Sequence, residues 1–128
     1  GLEIDALGGE PGVRSHRWGF DREMSDREII DYTMERMRGI PPDRRGARMR
    51  TVLALAYPDG RLFTAGGAVR GEIATEVSPL LEPGFPYRSI FYFPPYGKYF
   101  VDLTPREHDA MSHRRAAVER LLAQLPTH

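Results

Sequence analysis

"ARMRTVLALAYPDGRLFTAGGAV", Ala47 to Val69, decides the fold. Its two apolar arms flank Pro58-Asp59-Gly60, where proline presets φ and glycine accepts the left-handed conformation of a tight turn. Val52, Leu53, Leu55 and Tyr57 lead in and Leu62 and Phe63 lead out, so the stretch predicts a β-hairpin. The near-continuous apolar run from Val52 to Ala56 predicts a strand covered on both faces. Gly66 and Gly67 stand in the outgoing arm without the lysine and hydroxyl that a phosphate loop needs. Glycine in a strand then predicts a close backbone approach.

On the N-terminal side, Leu2 to Leu7 alternate loosely and predict a short strand ending at Gly8-Gly9. "EPGVRSHRWGF" follows as a Gly/Pro-bounded loop. Ser25-x-x-Glu28 is a capping box that opens a helix. Ile30, Met34 and Met37, with Ile29 and Thr33, make its buried face, and Gly39, Pro41 and Pro42 end it. Beyond the hairpin, two pieces read as strands, Ile90 to Phe93 and Tyr99 to Leu103. Thr104 and Glu107 form a second capping box with Pro105 at the first helical position. Ser112 is the expected N-cap of a last helix, whose apolar stripe is Val118, Leu121, Leu122 and Leu125.

The 128 residues suit one α/β domain, spanning 1–128, with helices flanking a sheet. The absence of cysteine removes disulfides and thiolate zinc sites, and the expected compartment is the cytoplasm. No apolar run approaches a membrane span. A net charge of zero argues against nucleic-acid binding, and a solvated strand edge accounts for Arg44, Arg45, Arg48 and Arg50. The four histidines, His16, His108, His113 and His128, show no metal-ligand spacing.

Two features point toward a ligand. His113 and Arg114 fall in the first turn of the last helix, where the dipole is already positive. Cationic donors beside unpaired N–H groups suit an anion or a carbonyl-rich ring. "PGFPYRSIF" holds Phe85 and Tyr87 in a Pro/Gly-constrained loop, and rigid aromatic faces can stack on a planar heterocycle. A solvated helix start and ordinary core aromatics explain the same residues, and the patterns alone leave both readings open.

A resemblance goes further. "GLEIDALGGEPGVRSHRW", "ARMRTVLAL", "GFPYRSIF" and "LTPREHDAMSHRRAA" resemble, in order and spacing, successive motifs of the inosine/xanthosine triphosphate pyrophosphatases, which hydrolyse non-standard purine nucleotides. The resemblance covers essentially the whole chain. It implies an α/β fold with a mixed sheet, a homodimer, and Mg²⁺-dependent cleavage of ITP, XTP or dITP to the monophosphate and pyrophosphate. It also implies a purine-binding set: Phe85, Pro86, Tyr87, Arg88, His108, Ser112, His113 and Arg114.

The chain corresponds to the C-terminal portion of such a domain. The family's Thr-Gly-Asn phosphate segment, its acidic metal ligands and its Asp-Asp-Ser run match nothing in these residues, so no catalytic or metal-ligating residue is assigned. Pro86, Arg88, Ser89 and His108 stand where the family has Gly, a base-reading Asp, Pro and Lys. The expected function is therefore nucleoside triphosphate pyrophosphatase chemistry, or alternatively a catalytically inactive module that binds nucleotides or dimerises. A guanidinium has five donors and no acceptor, so Arg88 cannot replace the carboxylate against a ring N–H. It is expected to turn away or to pair with Asp102 or Glu82, with a weak inosine-over-adenosine preference.

Overall fold

The computed structural model describes residues 1–12, 18, 20 and 22–126. Strands β1 (Leu2–Ile4), β2 (Pro11–Gly12), β3 (Gly46–Ala56), β4 (Leu62–Ile73), β5 (Phe91–Phe93) and β6 (Lys98–Tyr99) form one sheet in the order β2-β1-β3-β4-β5-β6. Helices α1 (Asp26–Arg36), α2 (Pro105–Ala110) and α3 (His113–Gln124) complete the α/β fold. Among the described residues every strand pairing is antiparallel, where the resemblance implies a mixed sheet.

The hairpin organises everything else. β3 and β4 pair continuously from Gly46↔Glu72 to Ala56↔Leu62, and the turn closes with Tyr57 N–H on the Arg61 carbonyl. Odd-numbered residues of both strands share one face. Near the base that face carries Ala47, Val69 and Ile73 into a core completed by Leu2, Ile4, Ile29, Ile30, Met37 and the rings of Phe91, Phe93 and Phe100. Toward the tip it carries Leu53, Leu55 and Phe63, with α3 packed over β4. Toward the tip, no described residue covers the even-numbered face: Val52 and Leu62 are 63% and 64% exposed. Coverage on both faces, expected from the apolar run, is therefore corrected to one, because the helices lie on one side only.

Both capping boxes form, at Ser25/Glu28 and at Thr104/Glu107. The expected strand from Tyr99 is shorter than its apolar run. It stops at Tyr99, and Phe100–Asp102 turn as a 3-10 helix that drops Phe100 into the core. Likewise β1 ends at Ile4 and Asp5–Leu7 turn.

The last helix departs most from its expected stripe. Val118 and Leu122 are 44% and 60% exposed, and the residue fully buried is Ala117. Gly67 is the reason. A Cβ there would collide with the His113 carbonyl oxygen and come within 3.0 Å of the Ala117 nitrogen. The helix lies so close on β4 that only small residues fit between the backbones. Side chains then lock the contact: Arg120 Nη1 donates to the Gly66 carbonyl (2.6 Å) and Gln124 Nε2 to the Thr64 carbonyl (2.7 Å).

Arg45 is the other departure. It is 5% exposed, not part of a solvated edge. Its Nε donates to the Ile73 carbonyl (2.7 Å), Nη1 to those of Met37 and Ile40 (2.9 Å each), and Nη2 to that of Ala74 (2.9 Å). It thus ties the chain just past α1 to the end of β4, a favourable place for a cation beside the helix's negative end. Arg48 pairs with Glu3 at 2.6 Å, so the basic cluster is divided among structural roles.

Candidate functional site

The turn Pro86–Ser89 is held from several sides. Ser78 N–H donates to the Ser89 carbonyl (2.8 Å), Ser89 Oγ to the Leu80 carbonyl (2.7 Å), and Gly84 N–H to Asp26 at the start of α1 (2.8 Å). Gly84 has φ +84°, which lets the chain reverse ahead of Phe85. Opposite this loop, α2 ends and α3 begins, with Ser112 Oγ accepting from Arg115 N–H (3.1 Å) as its N-cap. Between the two lies an open cleft of about 260 Å³. Gly84 to Arg88 form one wall and His108 with Ser112, His113 and Arg114 the other. Leu2, Met49 and Phe100 also line it.

All eight residues expected to bind the purine line this one cleft, although 26 positions separate Arg88 from Arg114. They do not present themselves equally. Phe85 is 43% exposed, whereas Pro86 and Tyr87 are buried. Burial pushes the Tyr87 phenol well above its ordinary range, opposed by hydrogen bonds to Thr33 and Trp18. Tyr87 therefore belongs to the core and supports the wall from behind. His108 sets its ring edge against Phe100 with centroids 5.0 Å apart.

Arg88 takes the second of its expected positions. Its Nη1 donates to Glu82 Oε2 at 2.8 Å, not to Asp102. Its guanidinium carbon lies 4.0 Å from the centre of the Phe85 ring and 4.9 Å from that of Phe100. One aromatic face that a flat ligand would use is thus overlaid by a cation. Burial, followed by the charges of Arg114, Arg88 and His108, lowers the His113 pKa from its ordinary value. His113 is accordingly a neutral imidazole at neutral pH, with one donor and one acceptor nitrogen.

The described lining contains Arg88, Arg114, His108 and His113 and no carboxylate. Among the described residues no group of three His, Asp or Glu side chains could hold a metal ion. None of their helices is long and apolar enough to cross a membrane.

A sequence model of the Ham1 family matches residues 1–124. The chain belongs to the Ham1 family. A relative from Thermus thermophilus, named dITP/XTP pyrophosphatase, is 45% identical over 122 residues, which cover 95% of this chain and 57% of the relative. Another of that name, from Desulforamulus reducens, is 38% identical, covering 95% and 59%. The Staphylococcus aureus Ham1 protein superposes with a TM-score of 0.82 at 34% identity, covering 96% of this chain and 62% of that one. A HAM1 protein from Coxiella burnetii gives 0.80 at 34% identity, with the same coverage. This Ham1 chain therefore spans about 57–62% of the length of these relatives.

Two residues outside the purine-binding set position the site of this Ham1 chain. Glu82, one of the two acids expected to pair with Arg88, is the one that holds it. Gly67 seats the first turn of α3 and makes the close backbone approach expected of a glycine in this strand. The earlier Ser-His-Arg run, Ser15 to Arg17, lies outside the described residues, as do His16 and His128.

Proposed function

We propose that this chain forms the purine-binding part of a nucleoside triphosphate pyrophosphatase, acting on ITP, XTP or dITP to give the monophosphate and pyrophosphate. The observation that carries the reading is the convergence of two distant segments, Gly84–Arg88 and His108–Arg114, on one cleft that joins an aromatic ring to imidazole and guanidinium donors. The names of the Thermus and Desulforamulus relatives support the same substrate class.

In this reading the base enters between the Phe85 loop and the start of α3. His113 offers one donor and one acceptor to its edge, and Arg114 directs a guanidinium to its carbonyl oxygen. Pro86 and buried Tyr87 hold the loop, so that little ordering remains to be done on binding. The family resemblance implies Mg²⁺, but the described residues form no cluster that fits it, and no step here is routed through a metal. A cytoplasmic setting agrees with the cysteine-free chain. Self-association agrees with the bare apolar face at Val52 and Leu62.

Calorimetric titration with inosine monophosphate tests the binding claim. The wild-type chain should bind, and His113→Ala and Arg114→Ala should each weaken binding roughly tenfold, the loss of one good polar contact. Undiminished binding in both variants would overturn the assignment of the cleft.

A further inference from the structure

The cleft's chemistry is one-sided. Arg88 and Arg114 supply positive charge and, with His108 and His113, hydrogen-bond donors, and no described lining residue is a carboxylate. Arg88 is only partly committed. Nη1 is taken by Glu82, while Nε and Nη2 have no partner among the described residues, and the side chain is 22% exposed in the wall. The planar head is fixed by stacking on Phe85 and Phe100, so its free donors keep one direction. Such a site favours a ring that presents more acceptors and negative charge over a neutral ring with fewer.

Two 6-oxopurines differ on this point. Hypoxanthine is neutral at neutral pH and keeps its N1–H donor. Xanthine carries a second carbonyl oxygen at C2, and its ring gives up a proton near neutrality, spreading negative charge over both oxygens. We propose that the cleft is built for the anionic xanthine ring over the neutral hypoxanthine ring, with Arg88 as the specificity-determining residue. This rests on the purine-binding reading above and narrows its substrate class to xanthosine nucleotides.

The test compares xanthosine and inosine monophosphates by calorimetry on the 128-residue chain at neutral pH, where the shared ribose phosphate contributes equally. Xanthosine monophosphate should bind about tenfold tighter, the difference between charge-assisted and neutral hydrogen bonds. Arg88→Met keeps an apolar chain between the two rings and should bring the ratio to within about twofold. Binding of neither nucleotide would overturn the purine reading and this inference together. Binding of both, with xanthosine no tighter, would overturn this inference alone, as would an unchanged ratio in Arg88→Met. Should Arg88→Met fail to fold, Glu82→Gln supplies the check. It removes the negative charge that offsets the guanidinium and should raise the xanthosine preference, whereas a constant or lower ratio overturns the role of Arg88.

Discussion

Replacing Arg45 by methionine tests how far one buried cation holds this fold together. The four carbonyls that it satisfies belong to Met37, Ile40, Ile73 and Ala74, at 2.7–2.9 Å. Its bonds to Met37 and Ile73 are buried, and those to Ile40 and Ala74 are partly so. Methionine fills similar volume and donates nothing. The two buried carbonyls then lose their side-chain partner at about 1–3 kcal/mol each, while the other two rehydrate at smaller cost. Burial lowers the Arg45 pKa, a sign that holding the charge here has a desolvation cost that methionine recovers in part. The net loss is expected at about 3 kcal/mol, a large share of the stability of a domain this size. Urea unfolding followed by far-ultraviolet circular dichroism would measure it. Arg45→Lys should recover only part, because an ammonium presents its donors from one atom and cannot span carbonyls on two elements. A loss below about 1 kcal/mol for Arg45→Met would refute the view that this side chain binds the chain after α1 to β4.

Gly67→Ala should destabilise by about 1–3 kcal/mol and weaken inosine monophosphate binding, since α3 must lift and carry His113 with it. Gly66→Ala, whose Cβ would meet the Thr51 carbonyl oxygen at 3.4 Å, is the control, expected near neutral in thermal melts. Because the His113 pKa is lowered in the folded chain, the unfolded chain binds more protons below about pH 6.5. Stability should therefore fall as pH drops below that value, and His113→Gln should flatten the melting temperature between neutral and mildly acid pH. An equal slope in the variant would assign the loss elsewhere. Arg88→Asp restores an acceptor to the cleft wall and should tighten inosine relative to adenosine monophosphate, at some cost in stability from Glu82 nearby. A ratio that does not move would show that position 88 does not face the base.

The elements themselves were legible because their signals are local. Pro58-Asp59-Gly60 between apolar arms makes a hairpin wherever it occurs, and the two capping boxes need only four residues each. What neighbours do to an element was not legible. Val52 to Ala56 reads as doubly covered, yet nothing described lies over its even-numbered side chains. The leucine stripe of α3 reads as its buried face, but close approach at Gly67 hands that place to Ala117. The cleft was reachable through resemblance, residue by residue, and Glu82 was among the partners expected for Arg88, whereas the stacking of Arg88 on Phe85 depends on side-chain packing that spacing does not encode.

The two rims of the hairpin differ in a way that governs how copies of this chain can join. Tyr57 bonds across the turn to Arg61, so the alternation of the ladder turns the backbone groups of Val52, Ala54, Ala56, Thr64 and Gly66 outward. On β4 the outward carbonyls of Thr64 and Gly66 are occupied by Gln124 and Arg120. Beyond Arg50, β3 has no described strand on its outer rim. Addition of one β3 rim to another β3 rim would be two-fold and use itself up. Addition of β3 to β4 would leave a fresh rim at each step and grow without end. Two polar side chains at the far end of a helix thus take from the β4 rim two of the acceptors that such endless growth would use.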